Sequence, residues 1–130
     1  MNEKNEDKFV TAVNCMDGRA QLPVINYLKE YFHAGYIDMI TEPGPNKILA
    51  DKSDTILIDS IKKRIEISID KHGSNLVALV GHCDCAGNPS PKENQIRHIK
   101  SGVVMIKKWF QNIHVIGLWV DENWNAQRVC

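Results

Sequence analysis

From Phe9 onward the chain alternates short, almost wholly apolar runs with longer segments whose apolar residues recur every three or four positions. The run "FVTAVNC", residues 9–15, is β-branched, of strand length and followed by Gly18, which predicts a buried strand. Over "LPVINYLKEYFH" the residues Val24, Ile25, Leu28, Tyr31 and Phe32 share one helical face, with Pro23 in the first turn. A helix closing near Gly35 is predicted there. "YIDMITEPGP" reads as a short strand followed by a loop, because prolines on both sides of Gly44 interrupt either kind of backbone ladder.

The next stretch, "SDTILIDSIKKRIEISIDKHG", fits two periods, since Ile65, Ile67 and Ile69 alternate while Leu57, Ile58, Ile61, Ile65 and Ile69 line a helical face. Its length selects helix, with Ser53 as N-cap and Gly73 as terminator. "NLVALVGHCDC" is a buried strand. "SPKE", Ser90 to Glu93, has the form of a capping box, and Ile96, Ile99, Val103, Ile106 and Phe110 continue it as a helix. "HVIGLWV" is a fourth strand, "DENWN" a turn and "AQRV" a short antiparallel return. Strands and helices in strict alternation predict an α/β fold, a parallel sheet covered by helices with right-handed crossovers. Ligands of such sheets bind outside the carboxyl ends of the strands.

Composition narrows the function. Sixteen basic residues balance sixteen acidic ones, and no basic cluster is interleaved with aromatics, so nucleic acid is not an expected partner. No apolar segment is long enough to cross a bilayer, and the polar start "MNEKNEDK" lacks the apolar stretch of a signal peptide, so no membrane partner and a cytoplasmic location are expected. The expected organisation is a polar tail over residues 1–8 and one domain over residues 9–130. In a reducing compartment Cys15, Cys83, Cys85 and Cys130 are expected as thiols, metal ligands or redox groups rather than disulfides.

Two strand ends carry the chemistry. "CMDGR" places Cys15, Asp17 and Arg19 at alternate positions after the first strand, and "GHCDC" places His82 and Cys85 after the third. Cys15, His82 and Cys85 form a Cys₂His ligand set for Zn2+, with the fourth tetrahedral position left to water. A water so placed gives hydroxide near neutral pH, and two thiolates weaken that effect, which predicts a working range displaced to alkaline pH. Arg19 paired with Asp17 would hold the carboxylate off the metal as an acceptor for the bound hydroxide; a broken pair would free Asp17 as fourth ligand. Taken singly, Cys15 fits a small buried hydrophobe, His82 a core histidine and Asp17 with Arg19 a loop ion pair. Their coincidence at two strand ends of one sheet favours the metal. Alternation turns Cys83 away from the site, while His33, His72, His98 and His114 read as structural or solvated. Trp109, Trp119 and Trp124 read as packing or subunit-contact residues.

These motifs resemble the two signatures of the β-class carbonic anhydrases, with Cys15, His82 and Cys85 in the zinc-ligand positions and Asp17 and Arg19 in place of the family's dyad. The resemblance implies a four-stranded parallel sheet of order 2-1-3-4, a fifth strand at the edge, and reversible hydration of CO2 to bicarbonate by zinc-bound hydroxide. It also implies a homodimer or higher homo-oligomer. Against the family's pattern, the eight-residue polar tail is expected to be too short to supply its N-terminal helices, and the loop Thr41 to Pro45 and Ala86, where the family usually has glycine, depart from it. Alternatives on the same residues are hydrolysis of COS or CS2, a non-catalytic zinc-binding role, and a dithiol redox role for Cys83 and Cys85. Cobalt or iron would also suit the ligand geometry.

Overall fold

The computed structural model describes residues 8–130, so all but Lys8 of the predicted polar tail lies outside the described residues. The elements are β1 (Phe9–Cys15), a 3-10 turn (Gly18–Ala20), α1 (Gln21–Phe32), β2 (Tyr36–Glu42), α2 (Pro45–Asp51), α3 (Thr55–His72), β3 (Leu76–His82), α4 (Lys92–Trp109), β4 (His114–Val120) and β5 (Ala126–Arg128). One five-stranded sheet has the order β2-β1-β3-β4-β5, with four parallel strands and an antiparallel edge. The predicted α/β class and strand order are those observed.

The alternation of side chains along the strands divides the core in two. Val13, Val77, Leu79 and Val115 face Leu49, Ile61, Ile65, Ile99, Val103 and Ile106 of α2, α3 and α4. Val10, Ala12, Ala78, Val80, Ile116 and Leu118 face Val24 and Leu28 of α1. All of these side chains are buried, so the sheet is a two-sided apolar layer, as its unbroken apolar strands require.

The register positions the site. β1 pairs with β2 over its whole length, from Phe9 opposite Tyr36 to Cys15 opposite Glu42. With β3 it pairs only from Thr11 opposite Val77 to Val13 opposite Leu79. Beyond Val13 these central strands part, at the point where the crossovers turn to opposite sides of the sheet. Successive backbone N–H groups point to opposite sides of a strand. Met16 donates to the Glu42 carbonyl on β2 at 3.1 Å, so the Cys15 amide faces the side where the β3 ladder has stopped. The Asn14 side chain replaces the missing partner: Oδ1 accepts from Cys15 N at 2.8 Å and Nδ2 donates to the Ala20 carbonyl at 3.1 Å.

Three local expectations are corrected. The loop read at Pro43 to Pro45 is only two residues long, because Pro45 opens α2, where its missing N–H removes no helical bond. Asp54, not Ser53, caps α3, its Oδ1 accepting from Leu57 N at 3.0 Å. Ser90 caps no helix: its hydroxyl donates to Asn88 Oδ1 at 2.8 Å, and Pro91 precedes α4 without a side-chain cap. The helix after β1 ends at Phe32 and is closed by His33, which takes the left-handed conformation two residues before Gly35. Among the described residues no helix is long and apolar enough to cross a membrane.

Candidate metal centre

Cys15 ends β1, His82 ends β3, and Cys85 lies in the loop that follows it. Their ligand atoms all lie within 4.8 Å of one another, and all three residues are buried. Cys15 and Cys85 sulfurs are 3.8 Å apart, and all four cysteines are free thiols. His82 is fully buried; its Nδ1–H donates to the Cys83 carbonyl at 2.6 Å, which fixes the tautomer and leaves a lone pair on Nε2. That nitrogen has no hydrogen-bond partner among the described residues.

The hydrogen bond between the two sulfurs moves their proton affinities apart. Cys15 is drawn well below the usual thiol range, first by the hydrogen bond from Cys85 and against burial, with the amides of Asp17 and Gly44 adding to it. Cys85 is pushed up by the same hydrogen bond and by burial.

Asp17 and Arg19 form a two-point fork, Nη2 to Oδ2 at 2.7 Å and Nε to Oδ1 at 3.1 Å, and Arg19 N also donates to Oδ1 at 2.9 Å. The Arg19 guanidinium, helped by its backbone amide and opposed by burial, lowers the Asp17 carboxyl to about 2. Asp17 Oδ2 stands 4.0 Å from His82 Nε2, outside hydrogen-bond reach, and the carboxylate is not part of the Cys15–His82–Cys85 cluster. Gln21 Nε2 donates to the carbonyls of Cys15 and Asp17 at 2.7 and 3.0 Å, pinning the turn between them.

The ligand loop is held from behind by a close backbone contact and a buried polar network. A Cβ on Gly87 would lie 2.5 Å from the Pro43 carbonyl carbon and oxygen. Gln95, fully buried, accepts from Asn46 Nδ2 at 2.7 Å and donates to the Asn88 carbonyl at 2.7 Å, and Asn88 N donates to the Cys85 carbonyl at 3.3 Å.

The five residues singled out in the sequence are thus brought together. A family model described as "Putative carbonic anhydrase" matches residues 5–130. The chain belongs to the β-carbonic anhydrase family. Among solved structures, the β-carbonic anhydrase isoform I of the protozoan Trichomonas vaginalis superposes with a TM-score of 0.61 at 17% identity, over 91% of this chain and 80% of that one. The carbonic anhydrase of Streptococcus mutans gives 0.65 at 16%, over 92% and 81%. A tetrameric β-carbonic anhydrase of Sordaria macrospora gives 0.62 at 11%, over 98% and 83%. At these identities the likeness establishes the β-carbonic anhydrase fold. No curated protein sequence matches the chain.

Residues to which sequence patterning gave no role at this site adjoin the cluster. Asn14 and Gln21 hold its backbone. Trp124, read above as packing or subunit contact, lies under the Arg19 guanidinium, with Cζ 4.6 Å from the ring centroid, and its ring is 6.1 Å from that of His82. Asp84 bonds the other edge of Arg19, Oδ2 to Nη1 at 3.3 Å. A polar residue inside an apolar run was the available signal for Asn14; Trp124 had none, because its approach depends on a turn conformation.

Proposed function

We propose that this chain is a zinc-dependent carbonic anhydrase that hydrates CO2 reversibly to bicarbonate, with Cys15, His82 and Cys85 as metal ligands. The observation that carries the reading is His82 Nε2, a buried ring nitrogen of fixed tautomer that lies among two thiol sulfurs without a hydrogen-bond partner. Leaving such a group bare costs about 1–3 kcal/mol, which a cation held by that lone pair and two thiolates removes. Two sulfurs at the usual zinc distance on a tetrahedron stand about 3.8 Å apart; those of Cys15 and Cys85 are 3.8 Å apart.

When bound with an open position, Zn2+ supplies a water of lowered pKa, and two thiolates temper that lowering, so turnover rises toward alkaline pH. The protein's own part is orientation. Arg19 occupies both oxygens of Asp17, so the carboxylate stays ionised and off the ligand cluster, and Oδ2 is the acceptor that orients a hydroxyl beside His82. Exposed Met16 and Leu22, 64% and 67% accessible and flanking Asp17 and Arg19 in sequence, suit burial against a second copy, and reduced thiol ligands suit a cytoplasmic setting.

The test is stopped-flow CO2 hydration at neutral and alkaline pH, on protein whose zinc per chain is measured in the same preparation. Turnover that scales with zinc and rises with pH is expected. Full zinc without CO2 turnover would overturn the reading and move the site to COS, CS2 or a non-catalytic metal role.

A further inference from the structure

Among the described residues, four non-glycine residues have left-handed backbones: His33, Lys52, Asp84 and Trp124. His33 and Lys52 close α1 and α2, where that conformation is an ordinary helix ending. Asp84 and Trp124 close no helix. They belong to different loops, one after β3 and one between β4 and β5, and both converge on the same guanidinium.

Arg19 is engaged along both edges and on one face. Its Nε and Nη2 form the fork with Asp17, its Nη1 reaches Asp84 Oδ2 and its Nη2 the Asp84 carbonyl, each at 3.3 Å, and its face lies 4.6 Å from the Trp124 centroid. Planar, delocalised arginine is the cation that can use both edges and a face at once. Its side chain is nevertheless 49% exposed, so the fork alone leaves it free to swing into solvent.

The turn that presents Trp124 is built with care. Asp121 Oδ1 accepts from the amides of Asn123 and Asn125 at 2.9 and 3.0 Å, its Oδ2 accepts from Gln127 at 3.0 Å, and Trp124 N donates to the Asp121 carbonyl at 2.9 Å. Glycine would satisfy a left-handed turn position without strain. A tryptophan there works against local preference, and strain of this kind persists where the surroundings over-determine it.

We propose that Trp124 and Asp84 form a clamp that fixes the Arg19 guanidinium in register with Asp17. Both are positioning residues, acting on the metal-site carboxylate through Arg19. Trp124 is the stronger arm, because the Asp84 carboxylate is 82% exposed and an ion pair in water holds weakly. The catalytic consequence rests on the carbonic anhydrase reading above, whereas the clamp itself does not.

Trp124→Gly removes the ring and relieves the left-handed backbone, and because the ring also packs against the α1-side core its fold is checked by circular dichroism; Trp124→Phe keeps an aromatic face. In zinc-loaded protein, hydrogen exchange of the Arg19 Nε–H is followed by NMR, with the signal assigned through Arg19→Lys. Exchange should accelerate about fivefold to tenfold in Trp124→Gly, with zinc content unchanged, and kcat for CO2 should fall by a similar factor at nearly constant KM. Trp124→Phe should restore most of both, and Asp84→Gly should give a smaller acceleration. Unchanged Arg19 exchange in Trp124→Gly would overturn the clamp whatever the turnover. Accelerated exchange with unchanged kcat in an active enzyme would overturn its positioning role. A parent protein loaded with zinc but inactive on CO2 would overturn the proposed function, and the exchange rates alone would then decide the clamp.

Discussion

The sulfur of Cys15 stands 3.8 Å from that of Cys85, 70 residues away in sequence. Cys15 is carried there by a strand paired with β2 over its whole length, and Cys85 by a loop braced on Gly87, Asn88 and Gln95. The hydrogen bond between them drives Cys15 down and, together with burial, Cys85 up, and neither backbone position is free to relax it away. A cation held by both sulfurs would satisfy both.

Metal binding should therefore contribute to stability. Excess chelator is expected to lower Tm by about 10 °C, the shift that mass action gives for a ligand far above its Kd in a domain of this size. Cys15→Ser or His82→Ala should lose zinc and show no further shift with chelator, checked by metal analysis and calorimetry. A chelator-insensitive parent would argue against a structural link.

Asp17→Asn should keep about one zinc per chain, because the carboxylate lies outside the ligand cluster. Its CO2 turnover should fall about tenfold to a hundredfold, the loss expected for an orienting acceptor. Steady turnover in this variant would remove Asp17 from its assigned role.

Gly87→Ala tests the brace behind Cys85. The added Cβ meets Pro43 backbone at 2.5 Å and Gly44 N at 2.9 Å, and backbone cannot step aside as a side-chain tip does. A loss of about 1–3 kcal/mol in denaturant unfolding is expected, together with weaker zinc retention. A neutral substitution would show that the two loops are not tightly apposed in solution.

His98 gives the fold an acid-sensitive point. Burial, with Arg97 and Lys47 nearby, lowers its pKa from the ordinary 6.5, and Nδ1 accepts from the buried Asn88 amide at 3.0 Å, a bond that a protonated ring cannot accept. The unfolded chain takes up this proton at a higher pH than the folded one. The contribution is thus complete above about 6.5 and declines as pH falls toward the folded value. Relative to His98→Gln, the parent should lose stability below pH 6.5, read from unfolding free energies across that range; parallel curves would count against it.

Much of this was legible in the sequence because the signals are long and repetitive. The apolar strands, the helical face of Ile61 and Ile65, and Cys15, His82 and Cys85 at strand ends all follow from patterns of period two or three and a half, and from ligand chemistry. What escaped was decided by contacts across the fold. Pro43, Gly44 and Pro45 look like a loop because Pro45 is the same residue whether it breaks a helix or opens one. Ser90 satisfies the spacing of a cap yet gives its hydroxyl to Asn88. Trp124 reaches Arg19 only because its own backbone turns left-handed, and no periodicity encodes that.

The early parting of β1 from β3 separates two tasks carried by the same strands. Below Val13 and Leu79 they are zipped to each other and determine the register of the whole sheet. Above that point their tips answer to side chains such as Asn14 rather than to each other. Side chains at these tips can be exchanged without breaking the β1–β3 ladder, so the chemistry at the sheet's carboxyl end can vary while the architecture stays as it is.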